Sequence, residues 1–309
     1  MIDDDLQRRD FSLGLVGAAI AVTAWGSSGV VIRHIEMGGL AIAVYRFWIY
    51  GLILVAWMWA RGVKLSSRIM RHTAAGGIAL GLDVALFFSA VKETTIVNAT
   101  VIGAMQPIVV GFVAWRFFGE RIRGRDVGLA AVAIGAVVVV VAAGTGRPEW
   151  NVTGDLLSIG ALFAWSGYFI FSKQSRGVLT PGEFTLGTAL WTAGINTPLA
   201  IAFGQDLSWP SSGDWVWLIV LAFGAGIVGH VLMNWSLVRI PLWLGSTFNL
   251  LIPVTAATMA WLFIDQPLRA VQVLAMIVVL AALGGMVRGQ TAPKNQPSVD
   301  PEPAGEPTG

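Results

Sequence analysis

Long apolar stretches alternate with short polar breaks from about residue 12 to residue 287. Each stretch is close to the roughly 20 residues that an α-helix needs to cross the hydrocarbon core of a bilayer. An all-α membrane protein is therefore expected. The pattern predicts ten membrane-spanning helices, at residues 12–32, 40–60, 73–91, 95–118, 126–143, 154–174, 184–203, 214–237, 242–264 and 267–287.

The composition agrees with this pattern. The 309 residues are 55% hydrophobic and 12% charged, with a mean hydropathy of +0.71, whereas an ordinary soluble domain has about 25% charged residues. A soluble fold of this size cannot hide so much apolar surface, so lipid is the expected solvent. The basic residues form no stripe, which excludes nucleic acid as a partner. The chain has no cysteine, which excludes disulfides and thiol chemistry.

Two polar segments flank the spans, residues 1–11 and residues 289–309. The apolar stretch after the first segment is long enough to remain as an anchor, so no cleaved signal is expected. The second segment is rich in proline, glycine and acidic residues and is predicted to be a disordered tail.

Lysine and arginine are distributed unevenly between the two sets of loops. If the N-terminus is cytoplasmic, fourteen fall on the cytoplasmic side and four on the other side. Cytoplasmic loops carry the excess of basic residues in membrane proteins. We expect a multi-pass protein of the cell (inner) membrane with both termini in the cytoplasm.

The second half of the chain repeats the first. A shift of 146 places Pro107 on Pro253, and a shift of 140 places Trp25 on Trp165. Chance matches between apolar residues are the alternative, but paired proline and aromatic residues at one shift favour a duplication. Five spans per half make the second half enter the membrane from the opposite side, as in the inverted repeats of secondary transporters. The predicted repeats are residues 12–143 and 154–288.

Several motifs together resemble the EamA family of the drug/metabolite transporter superfamily, over about residues 12–288. The resemblance implies ten helices and the transport, usually outward, of a small metabolite such as an amino acid or a toxic compound. The chain departs from the family where a second Gly-Glu is usual, because it has Asp265–Gln266. The motifs are Trp25–Gly26, Tyr45–Arg46–Phe47, Pro107 and Gly119–Glu120–Arg121, followed in the second half by Ala164–Trp165, Pro253 and Leu268.

The paired prolines are candidate hinges. Pro107 and Pro253 lie near the middle of their spans, where each leaves a backbone carbonyl without its usual partner. Such a carbonyl is tolerated at membrane depth only against protein or a wet cavity. The alternative for each proline is a packing kink without contact to a ligand.

Titratable groups occur at similar depth in the two halves. Asp83 lies midway along its span, and the shift of 146 places it on Gly229, next to His230. Charged groups at this depth usually face a polar interior. Asp83 and His230 are therefore candidates for binding a proton, the expected coupling ion, in exchange for substrate. The alternative is a structural role beside helix carbonyls.

Further candidates for substrate contact are aromatic and amide side chains within the spans. Trp25 and Trp165 occupy equivalent mid-span positions and can offer ring faces to an apolar group or a cation. Filling gaps between helices is the alternative. The remaining candidates are Tyr168, Gln106, Asn234 and Asn249, of which the amides can equally serve to link helices.

Two further charges are candidates for structural or gating roles. Arg46 lies inside the second span, where it can hold a carboxylate, pair within the bundle or extend toward the headgroups. Glu120 follows the fourth span on the predicted cytoplasmic side, where a local ion pair, a gate latch or a solvated charge are the alternatives.

Other protein classes fit the sequence less well. Metal or hydrolytic chemistry needs a cluster of histidine, acidic or nucleophilic residues, and only three histidines occur. No phosphate-binding glycine loop with its lysine is present. We therefore expect no enzyme, no cofactor and no metal, but a secondary carrier with a small-molecule substrate. A passive channel or facilitator is the alternative.

Overall fold

The structure is a computed structural model that describes residues 2–145 and 151–291. These two ranges are almost entirely helical and contain no strand. A π-helical turn at Ala222–Val228 joins α9 to α10, and a 3-10 turn at Phe248–Leu250 joins α11 to α12. The helices are α1 Ile2–Ile32, α2 Gly39–Ala60, α3 Ser67–Glu93, α4 Ile96–Gly103, α5 Gln106–Phe118, α6 Gly124–Thr145, α7 Val152–Gln174, α8 Pro181–Ala202, α9 Ser212–Leu221, α10 Gly229–Leu237, α11 Leu242–Thr247, α12 Leu251–Phe263 and α13 Ala270–Thr291.

Nine helical stretches in the described ranges are long and apolar enough to cross a membrane. The helix α8 is not among them, although it is as long as α2. Its hydropathy is lowered by Thr185, Thr188, Thr192 and Asn196, which are all buried. Since α8 packs against both α2 and α3, these polar groups are shielded by protein. Hydropathy therefore supports nine of the ten predicted spans.

Two of the predicted spans are broken helices. The break in the first lies at Ala104 and Met105, so that Pro107 falls in the first turn of α5. Proline is well tolerated there because the first turn has no partner for its missing amide hydrogen. The break in the second is the 3-10 turn before α12, where Pro253 is again close to the helix start.

The helices extend beyond two of the predicted boundaries. The first helix begins at Ile2, so most of the predicted flanking segment 1–11 is helical, and the Arg239 Nε donates to the Asp10 carboxylate at 2.8 Å. At the other end α13 continues to Thr291, past the predicted start of the tail. The rest of that predicted tail, residues 292–309, lies outside the described residues.

The packing of the two halves is reciprocal. The first helix packs on α10 and α12, and its counterpart α7 packs on their counterparts α3 and α5. Two pairs of equivalent helices pack on each other, α2 with α8 and α6 with α13, and α5 of one broken span packs on α11 of the other. Adding 146 to the bounds of α6 gives those of α13. The repeat in the sequence therefore corresponds to a repeat of helices and of their contacts.

The connections between helices gather at two ends of the bundle. One end carries the connections that follow α2, α5, α7 and α10, and it is called the arginine-rich end below. The other, called the opposite end, carries those that follow α1, α3, α8 and α12. At the opposite end Asp214 accepts a hydrogen bond from the Glu36 amide at 2.9 Å, and Tyr45 donates to the Leu207 carbonyl at 2.9 Å.

Candidate functional site

A cavity of about 360 Å³ lies between the two halves. Its walls come from α1, α2, α3, α4, α7, α10 and α12, and both broken helices reach it at their breaks. It extends from mid-span toward the opposite end, where Ile32, Phe87 and Phe88 line it. This volume is in the range of roughly 300–1,000 Å³ that is usual for small-molecule sites.

Arg46 and Asp83 are the charged residues in the cavity wall. The guanidinium carbon of Arg46 lies 4.7 Å from the centre of the Phe47 ring. Its Nε is buried and has no hydrogen-bond partner among the described residues. Arg46 is within electrostatic range of Asp83, but neither belongs to the ion pairs found in the described ranges. The wall thus offers one positive and one negative group that do not neutralise each other by direct contact.

His230 lies in the same wall and is only 3% exposed. Its ring centre is 5.2 Å from that of Trp25 and 5.9 Å from that of Tyr50, on which it stacks at 16°. The π-helical turn before α10 takes up about one residue more than an α-helical turn. After this turn His230, and not Gly229, lines the cavity together with Asp83.

The two predicted tryptophans meet at the cavity. The ring centres of Trp25 and Trp165 are 5.2 Å apart at an interplanar angle of 71°, an edge-to-face contact. The Trp25 Nε1 donates to the Ala225 carbonyl of the π-helical turn at 3.0 Å. Tyr168 stacks on Trp165 from behind, with ring centres 5.4 Å apart, and is fully buried. The tryptophans therefore line the cavity, whereas the tyrosine supports them.

A buried hydrogen-bond network lies behind His230. The Tyr168 hydroxyl is 3.1 Å from His230 Nδ1, and the Asn234 amide donates to the tyrosine oxygen at 2.7 Å. The same amide donates to the Thr185 hydroxyl at 2.9 Å, and its carbonyl accepts from the Ser172 hydroxyl at 2.8 Å. Sequence reasoning found Tyr168 and Asn234 but missed Thr185 and Ser172, which carry no distinguishing signal in an apolar helix.

An amide pair joins the two broken helices. The Asn249 side chain donates to Gln106 Oε1, and Asn249 lines the cavity whereas Gln106 is fully buried. Gln106 Nε2 and Asn249 Oδ1 have no further partner within the described ranges. Pro253 lines the cavity one turn beyond this pair, whereas Pro107 does not.

Glu120 and Lys173 connect four helices at the arginine-rich end. The Glu120 carboxylate accepts from the Leu242 and Trp243 amides, at 2.7 Å and 3.1 Å, at the start of α11. The Lys173 Nζ lies 3.6 Å from Glu120 Oε1 and donates to the carbonyls of Leu237 and Ile240 at 3.1 Å and 3.0 Å. A carboxylate at a helix start and an ammonium at a helix end are both favourable. Sequence reasoning counted Lys173 only as a loop charge.

The predicted site residues thus fall into three groups. No group of three metal-ligating side chains occurs in the parts of the chain that the structure describes. Glu120 lies apart, at the arginine-rich end. Gln106, Pro107, Tyr168 and Asn234 lie behind the cavity wall. The residues that line the cavity are Trp25, Arg46, Asp83, Trp165, His230, Asn249 and Pro253.

These features define a multi-pass helical membrane protein with a polar and aromatic cavity at its centre. The sequence model of the EamA-like transporter family matches residues 12–142 and again residues 152–288. The chain therefore belongs to the EamA-like transporter family. The names of the family and of its relatives indicate a transporter and not an enzyme.

Proteins similar in sequence are named as exporters, efflux pumps or transporters. The chain is 29% identical to "Aromatic amino acid exporter YddG" of Ancylobacter novellus, over 63% of this chain and 68% of the relative. It is 28% identical to "Probable amino-acid metabolite efflux pump" of Escherichia coli, over 54% and 58%. A solved crystal structure with 19% identity has a TM-score of 0.75, covering 91% of this chain and 98% of the other, which supports the fold alone.

Proposed function

We propose that the protein is a secondary carrier that exports a small metabolite by alternating access, with ten spans arranged as two inverted repeats of five. The observation that carries this proposal is the cavity between the halves. It extends toward the opposite end, while Glu120, Lys173 and the start of α11 close the path to the arginine-rich end. A site reached from one side only is what alternating access requires.

The substrate that fits best is an amino acid with an apolar or aromatic side chain. Both relatives described above are named for amino acids, one of them for aromatic amino acids. The cavity offers Trp25 and Trp165 to a flat ring, and Arg46 and Asp83 to opposite charges. A small-molecule pocket of this kind combines apolar walls with a few polar groups that fix orientation.

Two devices support movement between the two access states. The contacts of Glu120 and Lys173, called the latch below, close the arginine-rich end and have to open when substrate enters from there. The breaks beside Pro107 and Pro253 lie at equivalent places in the two halves and serve as hinges. With the excess of basic residues in the cytoplasm, the arginine-rich end is the cytoplasmic end.

A proton is the coupling ion that the cavity favours. Asp83 and His230 both lie in its wall, and both side chains can exchange a proton with the cavity. Carboxylate and imidazole groups at membrane depth are the usual carriers of protons in transporters. The competing proposal is a passive channel for a small solute, which needs a path open to both ends at once.

Counterflow in sealed vesicles tests the carrier against the channel. Purified protein is reconstituted, vesicles are loaded with unlabelled L-phenylalanine, and entry of labelled L-phenylalanine is followed. The carrier predicts saturable entry that is stimulated by substrate on the inner side. Fast entry without saturation or trans-stimulation favours the channel, and no entry of any amino acid contradicts the proposed substrate class.

A further inference from the structure

The network behind His230 fixes where its hydrogens lie. The Thr185 hydroxyl donates to the Pro181 carbonyl at 2.8 Å, so its oxygen is left to accept from Asn234. The Ser172 hydroxyl donates to the carbonyl oxygen of the Asn234 side chain. Both amide hydrogens of Asn234 are then directed away from Ser172, one to Thr185 and the other to Tyr168.

The position of the proton on His230 depends on the Tyr168 hydroxyl. The Tyr168 oxygen accepts from Asn234 at 2.7 Å, and its hydrogen has two neighbours, His230 Nδ1 at 3.1 Å and the Thr188 hydroxyl. A neutral imidazole has one nitrogen that accepts and one that donates. If Nδ1 accepts, the hydrogen is on Nε2. The hydrogen bond at Nδ1 then sets the tautomer of His230.

His230 and Arg46 both line the cavity, and both lie against Phe47, with its ring centre 6.0 Å from that of His230 and 4.7 Å from the Arg46 guanidinium carbon. The Arg46 Nε is buried without a hydrogen-bond partner in the described ranges. An imidazole N–H beside a guanidinium is a donor pair, and such a pair matches the two oxygens of a carboxylate. Asp83, in the same cavity, supplies the opposite charge.

We propose that the cavity binds the α-carboxylate of a zwitterionic amino acid with the Nε2–H of His230 and the guanidinium of Arg46, and its ammonium with Asp83. Trp25 and Trp165 then face the side chain. Tyr168 and Asn234 are positioning residues, because they hold His230 in the tautomer that donates. The proposal rests on the proposed carrier function and deepens it by assigning the orientation of the substrate.

The first test compares two ligands that differ only at the acid end. L-Phenylalanine has a carboxylate, and L-phenylalaninamide has the same ring and ammonium with a neutral amide. In His230→Asn the side-chain oxygen can still accept from Tyr168 near the Nδ1 position, but the Nε2 donor is lost. Affinity for L-phenylalanine should fall roughly tenfold or more, the usual effect of losing a hydrogen bond to a charged group. Affinity for the amide should change little.

Matched variants separate recognition from folding. His230→Gln keeps an N–H near the Nε2 position and should retain more affinity for L-phenylalanine than His230→Asn does. In Tyr168→Phe the hydroxyl that holds His230 in one tautomer is lost. The preference for L-phenylalanine over L-phenylalaninamide, called the acid-to-amide preference, should then fall partway. Tyr45→Phe is its control, because that hydroxyl binds the Leu207 and Ser208 carbonyls at the opposite end. If His230→Asn is unstable, Arg46→Gln gives the same test of the acid-to-amide preference.

The tautomer of His230 is a second quantity that can be measured. A merely structural role of Tyr168 would not require the Nε2–H tautomer. The chain has three histidines, so a nitrogen-15 spectrum of histidine-labelled protein is simple. His230 should show the Nε2–H form in the wild type and lose this preference in Tyr168→Phe. An Nδ1–H form in the wild type would overturn the proposal.

The outcomes distinguish this inference from the carrier proposal. If the wild type shows counterflow but His230→Asn weakens both ligands equally, the orientation is wrong and the carrier stands. If the wild type binds neither ligand and shows no counterflow with any amino acid, the proposed substrate class fails and the orientation fails with it.

Discussion

Individual residues hold the aromatic part of the cavity in place. Trp25 is fixed between the Ala225 carbonyl, Trp165 and His230. This position is possible because residue 229 is a glycine: a Cβ there would lie 2.3 Å from the Trp25 Nε1. Close approach of a helix to a large ring needs such a small residue. The orientation of Trp25 is therefore set by a glycine as much as by its own hydrogen bond.

Gly229→Ala should displace the Trp25 ring. We expect the stability to fall by about 1–3 kcal/mol, as for other overpacked sites, and the affinity for L-phenylalanine to fall with it. The control is Gly224→Ala in the same π-helical turn, where a Cβ would meet nothing within 4 Å. Thermal unfolding and ligand binding of both variants in detergent check this. If the two variants have the same unfolding temperature and the same affinity for L-phenylalanine, the small residue at position 229 does not set the position of Trp25.

At the scale of elements, the latch ties α5, α7, α10 and α11 together. Glu120 and Lys173 are both largely buried, with side-chain exposures of 13% and 11%. Breaking a buried pair costs more than losing an exposed one, because a charge is left without a partner. If the protein alternates between access states as proposed, loss of the latch should change the balance between them.

Glu120→Gln should favour opening of the arginine-rich end. The glutamine side chain can still accept a hydrogen bond from one backbone amide, but Lys173 loses its counter-charge. The stability of the state with a closed arginine-rich end should therefore fall by about 1–3 kcal/mol. The control is Arg68→Gln, which removes an ion pair at 3.8 Å whose arginine is 56% exposed. Protease access to the arginine-rich end is the measurement. No difference between the two variants would contradict the gating role of Glu120.

The proline breaks give a separate prediction for the elements. Replacing both Pro107 and Pro253 by alanine restores a backbone donor at each break and stiffens both helices. Binding of L-phenylalanine should be retained, while the rate of exchange in vesicles should fall about tenfold or more if hinge motion limits the rate. Full exchange in the double variant would show that the prolines are packing features only.

How far the sequence predicts these elements depends on what sets each one. The long apolar stretches predicted the helices, and the paired prolines lie shortly after the two breaks, although the spans that contain them were predicted as continuous. The π-helical turn at Ala222–Val228 has no signal in the sequence and was not predicted. Lys173 was missed because its partner Glu120 is distant in the chain, and such contacts depend on tertiary packing.

At the scale of the whole molecule, the two ends of the bundle define its orientation in the membrane. Lys64 precedes α3 at the arginine-rich end and Lys92 lies in the last turn of α3 at the opposite end, and both are exposed. The arginine-rich end is the proposed cytoplasmic end, on the basis of the positive-inside rule. The native chain has no cysteine, so single cysteines can be introduced without background.

Single-cysteine labelling in intact cells checks the orientation. Lys92→Cys should react with a membrane-impermeant thiol reagent added outside, and Lys64→Cys should react only after the cells are opened. Each variant is the control for the other, since both side chains are exposed. The reverse labelling pattern would place both termini outside the cell, and the cavity would then open toward the cytoplasm.

The central claim is that one cavity is reached from one face at a time, and a cysteine inside it tests this most directly. Gly103 lines the cavity at the end of α4, and a Cβ there would meet nothing within 4 Å. Gly103→Cys should react with an impermeant reagent from the opposite end only, and adding Glu120→Gln should shift the reaction toward the arginine-rich end at the expense of the opposite end. Equal reaction from both ends in the same preparation, unaffected by Glu120→Gln, would contradict alternating access and support a channel.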